Sequence, residues 1–83
     1  MTTITYVSQS ADSVSVTYKD VPAGAEVAFV NQTSGTKTAA AGAALSGNGS
    51  ADIAIPDLKG GQYHLLVQQS GQPLAQTVNF YLN

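Results

Sequence analysis

The chain has no cysteine and no tryptophan, and charged residues make up only 10% of its 83 positions, against about 25% in an average soluble domain. Without cysteine the fold cannot be cross-linked by a disulfide, and the absence of disulfides is unusual for a free-standing secreted protein of this size. Arginine is also missing, and the three lysines are scattered as Lys19, Lys37 and Lys59. Nucleic acids and anionic membrane surfaces are held by clustered Lys and Arg, so we expect neither as a partner.

Long apolar runs are missing too, and none approaches the roughly 20 residues of a membrane-spanning helix. The first ten residues, MTTITYVSQS, have neither the basic nor the apolar region of a signal peptide. The scarce charge nevertheless implies a surface of Thr, Ser, Gln, Asn and Gly, which is typical of exported and virion proteins. A phage structural protein combines both features, because it is made in the host cytoplasm and works on the virion surface. A domain of a longer secreted protein is the alternative.

Alternation of apolar and polar residues dominates the rest of the chain. SVSVTY, AEVAFV and QYHLLV all repeat with a period of two and are rich in β-branched or aromatic residues, which predicts half-buried β-strands. The parity of these runs predicts the inward-facing residues, which are Val14, Val16, Tyr18, Val27, Phe29, Ala51, Ile53, Ile55, Tyr63, Leu65, Val67, Val78, Phe80 and Leu82.

Turn residues separate the strands at short intervals. Asn48–Gly49 in SGNGS predicts a type I′ hairpin turn, because that turn needs two positive φ angles. The alanine-rich segment from Thr36 to Gly47 is open to two interpretations, an edge strand or crossing loop, or a single helical turn. About seven short strands spaced in this way predict one domain, residues 1–83, folded as an all-β antiparallel sandwich.

The residues Leu58, Gly61 and Tyr63 form an L-x-x-G-x-Y pattern before an alternating run. This pattern resembles the corner before the penultimate strand of immunoglobulin-like and fibronectin type III-like domains in bacterial and phage structural proteins. The stretches VPAGAEVAFVN and AQTVNFYLN are similar to other strands of such domains, so the resemblance covers Val14 to Leu82. It implies an immunoglobulin-like sandwich in which the Tyr63 hydroxyl bonds back to the corner backbone. The family's disulfide and core tryptophan are missing.

The only histidine, His64, is the natural candidate for a general base, with Asp52 or Asp57 to orient it. Strand alternation argues against this role, because an inward Tyr63 sends His64 to the opposite face and into solvent. No G-x-S-x-G stretch supplies a nucleophile. We therefore predict no catalytic residue and no enzymatic activity.

The sequence also contains few residues or motifs that could bind a metal or a cofactor. One histidine without cysteine cannot form a usual zinc site, and the spacing of Asp52 and Asp57 matches no EF-hand loop. SGNGS lacks the Lys-Ser/Thr of a phosphate-binding loop. The sequons at Asn31 and Asn48 are interpreted as ordinary turn residues. We predict no metal and no cofactor.

Exposed apolar residues on the terminal strands are the remaining candidates for a binding surface. Val7 lies opposite Ile4 and Tyr6 on the first strand, and Tyr81 lies opposite Phe80 and Leu82 on the last. Tyr6, Val7 and Tyr81 therefore either form an interaction surface or cover one another across the sheet. Two such tyrosines make a small platform for sugar, which usually stacks on exposed aromatic faces.

These observations together favour a non-enzymatic structural module whose partner is a protein. Low charge and exposed strand edges suit docking on a protein lattice. We expect a phage capsid decoration or head-surface protein that contacts the major capsid protein or its own copies, with surface glycan as a further possible ligand. The alternative is a carbohydrate-binding or accessory sandwich of a secreted bacterial protein.

Overall fold

The computed structural model describes residues 1–40 and 42–83, and the strands predicted from the alternation are present in it. In chain order they are β1 (Thr3–Gln9), β2 (Ser13–Val21), β3 (Glu26–Asn31), β4 (Lys37–Ala39), β5 (Gly47–Ala54), β6 (Gly61–Gln69), β7 (Gln72–Gln76) and β8 (Phe80–Leu82). None of the described residues lies in a helix long and apolar enough to cross a membrane.

The strands form two antiparallel sheets. The first sheet has the order β1-β2-β5, and the second has the order β4-β3-β6-β7, with β8 also paired to β6. β7 pairs with the second half of β6 and β8 with its first half, so together they fill one strand position at that edge. The predicted all-β antiparallel sandwich of about seven strands is confirmed.

The core lies between the two sheets and consists of the side chains that alternation turns inward. Val14 and Val16 on β2 face Phe29 on β3 and Leu65 and Val67 on β6, and all five are almost completely buried. Burial of β-branched and aromatic side chains on the inner faces explains why these segments form strands rather than helices.

The outer face of the second sheet also carries buried apolar residues. Ala28, Val30 and Leu66 are each less than 9% exposed, yet they do not belong to the core cluster. Ala28 is paired with Leu66, and Val30 is paired with His64. The central strands β3 and β6 therefore carry buried apolar side chains on both faces.

The predicted hairpin turn at Asn48–Gly49 is wrong, because both residues lie within β5. Two residues of β2, Lys19 and Asp20, stand there opposite Asn48 alone, which makes a bulge. Asp20 has a φ of 54°, and its N–H donates to Asn48 Oδ1 at 2.8 Å. A Cβ on Gly49 would lie 3.0 Å from the Tyr18 hydroxyl oxygen, so a larger residue there would require the Tyr18 side chain to shift.

A two-residue turn with positive φ does occur, but at Ser70–Gly71 between β6 and β7. Gln69 is paired with Gln72, and the φ angles of Ser70 and Gly71 are 51° and 80°. Two consecutive positive φ angles are the mark of a type I′ turn. The stretch QSGQP predicts a turn here but not its type, since Asn or Gly is the usual residue at the first position of a type I′ turn.

The prediction that Val78 faces inward is also wrong, since this side chain is 71% exposed. The last predicted strand is interrupted, because β7 ends at Gln76 and β8 begins at Phe80. Thr77 occupies the buried position instead, where its hydroxyl accepts the Leu65 N–H at 3.0 Å and donates to Val78 O at 2.9 Å. That hydroxyl replaces the backbone partner that Leu65 loses at the break.

The alanine-rich segment contributes the short strand β4, and then a link in which Ala40 and Leu45 are buried. The described residues thus favour the edge strand and crossing loop over the helical turn. Ala41, which this prediction also covered, lies outside the described residues. The link carries the chain from the edge of one sheet to the edge of the other.

Candidate interaction surface

The edges of the two sheets meet along one side of the sandwich, where β1 lies against β7. The ring of Tyr6 on β1 stacks on Phe80 of β8, with 5.2 Å between ring centroids and 20° between planes. The Tyr6 hydroxyl donates to Gln9 Oε1 at 2.8 Å, and Gln9 Nε2 donates to Tyr81 O at 2.8 Å. Gln9 therefore ties the two sheets together, and we call this junction the seam.

Apart from Met1, the large apolar side chains that are exposed among the described residues lie on the segments that meet at the seam, namely β1, the β7–β8 connection and β8. These side chains are Val7, Val78 and Tyr81, each more than half exposed, and we call them the seam patch. Val7 is unpaired because the β1–β2 register shifts between Tyr6 and Ser8, so the bulge turns this residue outward. Tyr6 is half-buried and packs on the core.

Charge is missing from the chain segments that build the seam. Residues 1–11 and 60–83 contain no Asp, Glu, Lys or Arg. All eight charged side chains therefore belong to residues 12–59. A surface without charge loses little hydration free energy when a partner covers it, and depletion of charged residues is characteristic of interface centres.

The corner residues Leu58, Gly61 and Tyr63 hold the end of the seam. Tyr63 is buried, and its hydroxyl donates to Lys59 O at 2.7 Å. Gly61 has a φ of 151° and is paired with Leu82. Leu58 is half-buried against the core. The corner thereby fixes where β6 begins and where β8 pairs with it.

His64 differs in environment from the expectation, because it is half-buried rather than turned fully into solvent. Its Nδ1 lies 3.3 Å from Gln32 Oε1, and desolvation by its neighbours lowers the pKa of the imidazole. The folded state thus favours the neutral ring. The pairing of Val30 with His64 on the adjacent strand accounts for the partial burial.

The structure does not bring together the residues that a catalytic role for His64 would need. Asp52 lies on the other sheet, where its Oδ1 accepts the Ser15 hydroxyl at 2.6 Å. Asp57 lies in the connection between β5 and β6. Within residues 1–40 and 42–83, no three His, Cys, Asp or Glu side chains are grouped closely enough to hold a metal ion.

A second candidate is a polar cleft of about 600 Å³ at one end of the sandwich. It lies between the β3–β4 loop and the β5–β6 connection, and Asp57 and Lys59 are its charged residues. Asn31 shapes one wall, because its Oδ1 accepts the N–H groups of Thr33 and Ser34, both at 2.9 Å. Sequence reasoning missed this cleft, since its two walls are far apart in the chain and share no motif.

Three comparisons with known proteins accompany these observations. No family model, no curated protein and no solved structure matches this chain.

Proposed function

We propose that this protein is a non-enzymatic structural module that binds another protein through the seam patch. The observation that carries the proposal is that the three exposed apolar side chains all lie on segments that contain no Asp, Glu, Lys or Arg and that meet where the two sheets join. Covering exposed apolar surface is favourable by about 25 cal/mol per Å². An exposed aromatic such as Tyr81 is a common anchor in such contacts.

Rigidity supports this role. The Tyr6–Phe80 stack and the two hydrogen bonds of Gln9 join β1 to β8, so the backbone that carries Val7 and Tyr81 is held before a partner arrives. Pre-organisation lowers the entropy lost on binding. A small, rigid sandwich with an exposed apolar patch is suited to reinforcing a protein lattice.

The same proposal includes an immunoglobulin-like or fibronectin type III-like relationship. Two features support it. The strand orders are β1-β2-β5 in one sheet and β4-β3-β6-β7 in the other, and the Tyr63 hydroxyl donates to Lys59 O at the corner. With the export-like composition, they favour a capsid decoration or head-surface protein on the virion of a phage, with the major capsid protein as the partner.

Co-sedimentation with capsids assembled without this chain tests the proposal. We expect the purified protein to pellet with the capsids, and the double variant Val78→Ser, Tyr81→Ser to bind at least tenfold more weakly, since hot-spot truncations cost more than about 1 kcal/mol each. The matched control is Thr38→Ser on β4, at the opposite edge of the second sheet, which leaves binding unchanged. Absence of binding to any shell protein contradicts the proposal.

The polar cleft favours a second candidate function, the binding of carbohydrate by an accessory domain of a secreted bacterial protein. Hydroxyl, amide and carboxylate groups line the cleft, and the Tyr81 ring is exposed on the seam. A glycan array separates the two functions. Sugar binding that Asp57→Asn or Tyr81→Ala removes would favour this candidate over the first.

A further inference from the structure

β5 is the longest regular strand edge that has no neighbour among the described residues. The other sheet edges each carry a feature that discourages pairing with a further strand. β4 and β8 have three residues each, β7 contains Pro73, and β1 has the Val7 bulge and lies against β7. β5 runs for eight residues, is paired only with β2 in residues 1–40 and 42–83, and contains neither Pro nor Lys.

The ladder between β2 and β5 shows which backbone groups of β5 point away from β2. The Ile55 N–H donates to Asp12 O at 2.9 Å. Hydrogen-bonded and non-hydrogen-bonded pairs alternate along an antiparallel ladder, so Ile53 and Ala51 also bond to β2. The N–H and C=O groups of Ser50, Asp52 and Ala54 are therefore directed outward from the free edge.

We propose that this edge pairs with β5 of a second copy of the chain, antiparallel and across a twofold axis at Ala51. The resulting sheet is continuous and has six strands, in the order β1-β2-β5-β5-β2-β1. This register uses the full length from Asn48 to Ala54. It places Ser50 of each copy opposite Asp52 of the other, and a methyl side chain on the axis.

Side-chain chemistry favours this register over the one shifted toward the C-terminal end of β5. The alternative shifted by one pair places Asp52 opposite Asp52, and like charges directly opposite are destabilising. In the proposed register the Ser50–Asp52 pair repeats the contact already made within the chain, where Ser15 Oγ donates to Asp52 Oδ1 at 2.6 Å. Asp52 Oδ2 is then available for the second Ser50 hydroxyl.

The inner face of the new pair is also compatible. Gly49 of one copy stands opposite Ile53 of the other, and glycine leaves room for that larger side chain. The only charged groups on β5 are the two Asp52 carboxylates, and the register separates them. The variants that test this contact leave Val78 and Tyr81 unchanged, so this proposal and the proposed function can fail independently.

Sedimentation equilibrium of the full chain tests the pairing. Concentrations up to about 1 mM are needed, because a contact made through one strand edge is small and small interfaces associate weakly. We expect a reversible monomer–dimer equilibrium in the unmodified protein. Ser50→Pro removes an outward N–H and places a ring on the edge, so it should leave a monomer with an unchanged circular dichroism spectrum.

Opposite charges at the same position test the register. Ser50→Lys places two attractive pairs with Asp52 across the axis and should tighten the dimer roughly fivefold, whereas Ser50→Glu should weaken it by a similar factor. Thr17 lies on β2 and is paired with Ser50, so it is one strand away from the proposed contact. Thr17→Lys and Thr17→Glu therefore serve as controls and should leave the dimer dissociation constant unchanged. A monomer at every concentration, or Lys and Glu effects of the same sign at position 50, would overturn the proposal.

Discussion

Side-chain hydroxyls hold the two places where the chain leaves a regular strand ladder near β6. The Tyr63 hydroxyl donates to Lys59 O at the corner before β6, and the Thr77 hydroxyl satisfies the Leu65 N–H at the break between β7 and β8. Both residues are buried. A buried backbone group without a partner costs about 1–3 kcal/mol, so these two side chains allow the chain to turn without that penalty.

Replacing Tyr63 by Phe measures the first of these contacts. The ring remains in the core while the hydrogen bond to Lys59 O is lost, so the free energy of unfolding should fall by about 0.5–1.5 kcal/mol. Urea unfolding followed by circular dichroism gives this value. Tyr81→Phe removes a hydroxyl from an exposed ring and should change stability little; equal losses in both variants would contradict a structural role for the corner bond.

At the scale of the elements, the positions of turns and bulges decide which strands pair and in which register. The bulge opposite Asn48 lets β2 and β5 continue past Tyr18, and the Ser70–Gly71 turn returns the chain directly from β6 to β7. The bulge at Val7 exposes an apolar side chain next to the half-buried Tyr6. Val7 at the bulge and Val78 at the break between β7 and β8 are thus exposed by strand irregularity.

The type I′ turn predicts the effect of a substitution at its first position. Ser70→Asn supplies the residue that best tolerates positive φ after glycine, so we expect a gain of roughly 0.5 kcal/mol, a fraction of the ~1–2 kcal/mol that this conformation costs an ordinary residue. Gly71→Ala should lose about 1 kcal/mol. Thermal unfolding measures both changes. Ser46→Asn, at a position without positive φ, is the control, and a similar gain there would refute the turn-based explanation.

For the whole molecule, stability depends on the layer of side chains between the two sheets. Leu65 is completely buried in that layer, while its neighbour Leu66 is covered on the outer face of the second sheet. Adjacent leucines on one strand thus pack against different surroundings. An 83-residue chain buries a small core, so the inner layer must supply most of the favourable free energy.

Alanine substitutions at the two leucines separate the contributions of the two faces. Leu65→Ala leaves a cavity between the sheets and should cost about 2–5 kcal/mol. Leu66→Ala should cost about 1–2 kcal/mol, because solvent reaches the space that it leaves. Denaturant midpoints of both variants provide the comparison. A greater loss at Leu66 would show that the outer face, and not the inter-sheet layer, dominates stability.

The sequence allowed much of this fold to be predicted, because alternation is a property of each strand by itself. Val14, Val16, Leu65 and Val67 were assigned inward from their parity, and all are buried. The prediction fails at Val78, where the strand is broken and the parity no longer continues. The polar cleft was not predictable, since it depends on two loops that meet only after the sheets have packed.

The amino-acid sequence by itself determined that this chain forms antiparallel strands with one apolar face, since a period of two and frequent turn residues are local properties. The tertiary structure decided which strands are neighbours and which distant residues come into contact. It placed Asn48 and Gly49 inside a strand because a bulge and the Tyr18 ring stand opposite them. It also brought Tyr6 onto Phe80, because only packing of the sheets can join residues so distant in the chain.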